Sequence, residues 1–135
     1  MDDETVRAMI LVHYAASGVD EVHVAQVYAA DAILDFPQGG ERIRGKANIL
    51  AFRSAYPAAI RIVPRRIVGS GDVWVIESTI SYDGVPQHLA SIWELRDGKV
   101  VHETVYIAEG WEPPAWRAQW VEPIPADAAA GTAQA

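Results

Sequence analysis

One carboxylic acid in this sequence is set among aliphatic neighbours. Glu103 alternates with Val101, Val105 and Ile107 along the stretch from Lys99 to Glu109, so on an extended strand these side chains share one face. Taking a carboxylate out of water disfavours its charged form, and a carboxyl group so held can give or take a proton near neutral pH. The competing reading is an ion pair with an arginine, Arg117 near the C-terminus being one candidate. Ser78 and Ser91, on two other alternating stretches, are placed to orient a polar substituent. The histidines His13, His23, His88 and His102 show no H-E-x-x-H spacing and no cluster with paired carboxylates, so no metal site is expected. His102 adjoins Glu103, but strand neighbours point to opposite faces. Asp35 reads as an exposed strand residue, and Gly39-Gly40 as a turn, since it lacks the G-x-G-x-x-G pattern of a phosphate cradle. Without cysteine, thiolate catalysis, disulfides and cysteine-ligated zinc or iron–sulfur sites are excluded. No cofactor is expected.

Elements must position these groups. The three- and four-residue spacing of Val6, Met9, Ile10, His13 and Tyr14 predicts a helix over Asp3–Ala16, with acidic residues in its first turn and Gly18 as its stop. Asp20 caps a second short helix with Val24, Val27 and Tyr28 as its stripe. Ala32–Phe36 reads as a strand ended by Pro37, and a third helix follows Gly45 to about Tyr56, with Ile49, Leu50 and Phe52 inward. The period then falls to two. Strands are predicted over Ile60–Val68, Asp72–Tyr82, Gln87–Arg96 and Lys99–Glu109, broken by Gly69-Ser70-Gly71, Asp83-Gly84 and Asp97-Gly98. Pro64 makes the first of them an edge or bulged strand. Pro114–Trp120 reads as a short C-terminal helix. Helices followed by an antiparallel meander define an α+β class, with one domain over residues 1–122 and a flexible Ala/Gly/Pro-rich tail over 123–135.

Composition sets outer bounds. A chain of 135 residues, half of them apolar and 21% charged, fits a folded single-core protein. Eighteen acidic against eleven basic side chains give a net charge of −7, which argues against nucleic acid or an anionic membrane as a partner. The N-terminus is acidic and no apolar run approaches about 18 residues, so a cytoplasmic location is expected.

The order helix–helix–strand–helix–meander resembles the nuclear transport factor 2-like superfamily, in particular its SnoaL-like and ketosteroid isomerase-like branches. The resemblance is carried by Tyr28-Ala29-Ala30-Asp31-Ala32 running into Asp35-Phe36-Pro37, by Gly45-Lys46-Ala47-Asn48-Ile49, and by Asp97-Gly98-Lys99-Val100-Val101 with Glu103 and Tyr106. It covers about residues 3–110. It implies a cone-shaped α+β barrel: three N-terminal helices packed on a strongly curved, mainly antiparallel sheet, with a short C-terminal helix and a small-molecule pocket at the open end. Its register and the bulk of the alternating sets together put Leu34 and Phe36, Trp74, Ile76 and Ser78, Leu89, Ser91 and Trp93, and Val101, Glu103, Val105, Ile107 and Glu109 inside. Phe52 joins them from the third helix. Glu103 and Tyr14 then become the candidate catalytic pair, with Phe36, Phe52, Trp74, Ile76, Ser78, Ser91, Trp93, Val105, Ile107 and Glu109 as substrate-binding residues.

The family's chemistry carries over less fully. Tyr14 matches the oxyanion tyrosine of ketosteroid isomerases, but the position of their general base holds Phe36 and that of their protonated aspartate falls near Ser91. Steroid isomerisation by that mechanism is therefore not supported. Glu109 lies near the acidic residue of SnoaL-like cyclases, and the Asp–Arg–Asp set of the superfamily's epoxide hydrolases has no counterpart. The expected function is binding of a small hydrophobic molecule. Cofactor-independent acid/base chemistry (isomerase, cyclase, dehydratase or hydrolase) on a carbonyl or epoxide is one reading, and a non-catalytic or dimeric accessory module is the other. The outer sheet face mixes Val73, Val75, Ile92 and Tyr106 with Glu77, His88, Glu94 and His102, which suits burial in a homodimer. Trp111, Trp116 and Trp120 are expected to pack the tail over the cone, or to form a lid.

Overall fold

The three- and four-residue spacing near the N-terminus becomes the first element. In the computed structural model, which describes residues 1–125, Asp3–Ala16 forms α1, and the Asp2 carboxylate caps it by accepting from the Thr5 backbone N–H at 2.8 Å. Val6, Ile10, His13 and Tyr14 are its buried stripe. A short α2 (Glu21–Ala25) is capped by Asp20. Strand β1 (Tyr28–Phe36) turns through a 3₁₀ segment at Pro37–Gly39 into β2 (Glu41–Arg44), and α3 (Lys46–Ser54) follows. The meander is β3 (Ile60–Ser70), β4 (Val73–Tyr82), β5 (Val85–Arg96) and β6 (Lys99–Ala108). Asp83-Gly84 and Asp97-Gly98 both have positive φ at each residue, the mirror-image turn whose twist matches that of antiparallel strands.

The six strands form one curved sheet in the order β2-β1-β6-β5-β4-β3. All neighbours are antiparallel except β1 and β6. The helices cover the inner face, α1 against β3 and α3 against β1. This is the expected cone-like α+β architecture. Pro64 lies in β3, an edge strand, at a bulge between Pro64 and Arg66, where its missing N–H interrupts least. Gly18, at φ +80°, carries the chain beneath β3, and a Cβ there would stand 2.0 Å from the Ile60 carbonyl oxygen.

Several elements differ from the sequence reading. Strand β1 starts at Tyr28, four residues before Ala32, because parallel pairing with β6 recruits Tyr28 opposite Val100. Tyr28 is therefore a strand residue and not part of a helical stripe. Strand β2, too short and too charged to show an alternating pattern, was absent from that reading. A register shift between Glu94 and Leu95 slips one residue, so that Val100 is fully buried and Val101 only half-buried. Strand β6 ends at Ala108, which leaves Glu109 exposed and outside the conical interior. The C-terminal helix is a 3₁₀ segment, Ala115–Trp120, without buried residues. Trp111, Trp116 and Trp120 are 77%, 74% and 71% exposed, so they cover neither core nor cavity within this chain. Most of the tail, residues 126–135, lies outside the described residues. No described helix is long and apolar enough to cross a membrane.

Candidate functional site

Strand register assembles the site. Leu34 of β1, Glu103 of β6, Trp93 of β5 and Trp74 of β4 form a direct row across the inner face. Glu103 is 1% exposed. A buried carboxylate loses several kcal/mol of hydration, so partners must be built around it. Trp93 Nε1 donates to Oε2 at 3.2 Å, and the Tyr28 hydroxyl donates to Oε1. Arg53, reaching in from α3, donates through Nη2 to the Tyr28 oxygen at 2.8 Å and stands 3.4 Å from Glu103 Oε1. The counter-ion is thus Arg53 and not Arg117, whose guanidinium lies over Trp116 in the exposed C-terminal segment. The Arg53–Glu103 contact is made through a single nitrogen, not as a two-pronged fork, and open space adjoins both residues.

Neighbouring titratable groups are tuned by burial. Burial raises the Tyr28 phenol well above its usual range; Arg53 opposes the rise and Glu103 adds to it, so the group stays a donor. Burial, then the Glu103 carboxylate, also raises Tyr14. Its hydroxyl lies near Ser91 and Trp93 but makes no well-aligned hydrogen bond within the protein. Behind it, His13 Nδ1 lies 3.0 Å from the Val24 carbonyl oxygen, which can only accept, so Nδ1 carries the proton. Burial, with the Arg53 charge behind it, pushes His13 down to about 3 and keeps the ring neutral.

A cavity of about 330 Å³ opens beside this cluster. Tyr14, Ser91, Glu103 and Arg53 line its deep end, where Tyr14, Ser91 and Glu103 are each no more than 3% exposed. Phe36, Phe52, Tyr56 and Tyr82 form a continuous aromatic wall, with successive ring centroids 5.7, 6.0 and 5.6 Å apart. Burial, followed by Tyr56, pushes the Tyr82 phenol up to about 12. Ile43, Ile60, Ile62, Ile80, Leu89, Val105 and Ile107 supply the aliphatic lining. Ser17, Gly18, Glu21 and Glu41 complete the lining.

The residues singled out from sequence thus divide. Glu103, Tyr14, Phe36, Phe52, Ser91, Val105 and Ile107 meet at this cavity. Trp74, Ile76, Ser78 and Trp93 do not line it. They are fully buried where α1 fills the cone: the Arg7 guanidinium stacks 5.3 Å above Trp74, and His13 packs edge-on against Trp93 at 5.0 Å. Glu109 is outside. Asp35 points to the outer face, where it accepts from Arg42 at 2.7 and 2.9 Å and contacts His102 Nε2 at 2.8 Å. Sequence reasoning missed Arg53, Tyr28, Tyr56 and Tyr82. Arg53 did leave a signal: Ile49, Phe52, Arg53 and Tyr56 follow the three-and-four spacing of one helical face. Among the described residues no group of three or more histidines and carboxylates is placed to hold a metal ion.

Helices on a curved sheet around a lined cavity define the class, and comparisons with known proteins agree. A SnoaL-like domain model matches residues 6–103, and the chain belongs to that family. Its structure is similar to an NTF-2 like protein of unknown function from Burkholderia xenovorans LB400, with 44% identity, a TM-score of 0.86, and coverage of 93% of this chain and 99% of that one. It is also similar to a putative ketosteroid isomerase from Kribbella flavida DSM 17836, with 27% identity, a TM-score of 0.82, and coverage of 96% and 97%. A putative polyketide cyclase from Sinorhizobium meliloti shares the fold at 22% identity and a TM-score of 0.63, covering 76% of this chain and 94% of its own. No curated protein matches the sequence.

Proposed function

We propose that the cavity binds a small hydrophobic carbonyl or epoxide compound and that Glu103 moves a proton on it without a cofactor. The observation that carries this reading is a carboxyl group lining an apolar cavity beside a buried tyrosine hydroxyl with no well-aligned partner. A hydroxyl that faces a cavity without a well-aligned protein partner is free to donate to an oxygen on a bound molecule. Tyr14 donates to such an oxygen as negative charge develops there, and Glu103 gives or takes the proton. The kinship with a putative ketosteroid isomerase supports the reaction class, although the base position of those enzymes holds Phe36 here.

Hydrogen–deuterium exchange next to the carbonyl of hydrophobic cyclic ketones, followed by NMR in D2O, tests the reading directly. Glu103→Gln should lower the exchange rate by about 10²–10⁴-fold and Tyr14→Phe by about 10²–10³-fold. A second reading, a non-catalytic binding module, is favoured by the three donors that already occupy Glu103. It predicts saturable ketone binding with no exchange, and near-neutral binding by Glu103→Gln. We also propose that two copies associate through the outer sheet face, because Val73, Val75 and Tyr106 are 53%, 42% and 44% exposed there.

A further inference from the structure

The polar lining of the cavity has an unbalanced charge. Glu21, Glu41 and Glu103 contribute three carboxylates, against the single guanidinium of Arg53. Arg53 and Glu103 pair at the deep end, so the surplus sits with Glu21 and Glu41. Those two are the more solvent-exposed acids of the lining: Glu41 is exposed and Glu21 half-buried, whereas Glu103, Tyr14 and Ser91 are buried. Neither Glu21 nor Glu41 has an ion-pair partner among the described residues. One oxygen of Glu21 accepts from the Gly18 backbone N–H at 2.6 Å, which holds the side chain in the lining. Between the two ends run the half-buried rings of Phe36, Phe52, Tyr56 and Tyr82, whose faces attract a cation. At the far end, the buried Tyr14 hydroxyl lacks a well-aligned partner and lines the same space.

We infer that the cavity selects a two-ended molecule: a carbonyl or hydroxyl oxygen that meets Tyr14, a ring-bearing apolar body, and a protonated amine held by Glu21 and Glu41. The same carboxylates repel an anionic end, and a low-dielectric cleft focuses that field toward an incoming ligand. The inference rests on the cavity being a ligand site, and it does not require Glu103 to move a proton. It makes Glu21 and Glu41 specificity-determining residues for a basic amine, separate from the groups at the deep end.

Three probes sharing one skeleton test it: cyclohexyl phenyl ketones bearing a para aminomethyl, methyl or carboxylate group, titrated by calorimetry at neutral pH. At low salt the aminomethyl ketone should bind about tenfold tighter than the carboxylate, with the methyl ketone between, and the gap should narrow as salt is added. In the Glu21→Gln/Glu41→Gln protein the gap should fall below about twofold. Glutamine keeps the acceptor for the Gly18 N–H. Glu41→Gln alone, at an exposed strand position, should remove about half of the preference and serves if the double variant folds poorly. A carboxylate probe that binds as well as the amine, or an amine preference that survives both substitutions, overturns the inference. Three ketones bound equally well would overturn it while leaving the ligand-site reading intact. No binding by any of them would overturn both.

Discussion

The pair formed by Glu103 and Arg53 is held with Arg53 18% exposed and Glu103 1% exposed, so its two halves are not equivalent. Removing the cation leaves a buried carboxylate with only the neutral donors Tyr28 and Trp93. Arg53→Met should therefore destabilise the protein by about 3–5 kcal/mol, and adding Glu103→Leu should recover most of the loss; urea denaturation of the wild type, both single variants and the double variant measures this. Recovery would fail to appear if Tyr28 and Trp93 alone carried the carboxylate. His13 makes a second prediction at this scale. Its folded pKa of about 3 lies below its unfolded value of 6.5, so its contribution is whole above about pH 6.5 and is lost as pH falls toward 3. The slope attributable to it is about 1.4 kcal/mol per pH unit. His13→Gln should flatten the stability profile between about pH 6 and 4, and an unchanged slope would show that the ring does not stay neutral.

The turn that follows helix α1 meets strand β3 where Gly18 passes under Ile60, and both residues line the cavity there. Both the positive φ and the 2.0 Å approach exclude a side chain. Gly18→Ala should cost about 2 kcal/mol or more and weaken ketone binding, because β3 must shift to relieve the clash. At the opposite edge, the Asp35 carboxylate ties β1 to β2 through Arg42, and the Arg42 hydrogen bond, helped by His102, holds it down at about 2. Being lowered from 3.8, it stabilises the hairpin above about pH 4, and that contribution disappears as pH falls toward 2. Asp35→Asn should accordingly be less stable than wild type at neutral pH and indistinguishable from it near pH 2. Equal melting temperatures at neutral pH would mean that the pair contributes nothing, the common result for solvent-exposed ion pairs.

For the molecule as a whole, the outer sheet face and the C-terminal segment leave much apolar surface in water. Three tryptophans over 70% exposed within ten residues are uncommon in a monomer, and Val121 and Ile124 continue the run at 50% and 72%. Light scattering after size exclusion should report a dimer at micromolar concentration. Val75→Lys with Tyr106→Glu should shift it to the monomer without unfolding it. A wild-type monomer would remove the proposal that this face is an interface.

Local chemistry alone determined the Asp20 cap, the Asp-Gly hairpins, the change of period at Ile60 and the alternation that sets Glu103 with Val105 and Ile107 on one face of β6, because each depends on residues within a few positions of one another; the family register then chose which face is inward. From those words the α+β class and the family followed. What only the tertiary structure decided depends on residues far apart in sequence. Parallel pairing of β1 with β6 drew Tyr28 out of its helical reading and set it beside Glu103, 75 positions away. Arg53 lies 50 positions from the carboxylate it neutralises, and no short-range pattern records which arginine a buried acid will find. Packing of α1 over Trp74 and Trp93 filled the narrow end of the cone and left the open volume to Tyr56 and Tyr82. Alternation says which side chains face inward; only the helices packed above them decide which of those still see empty space.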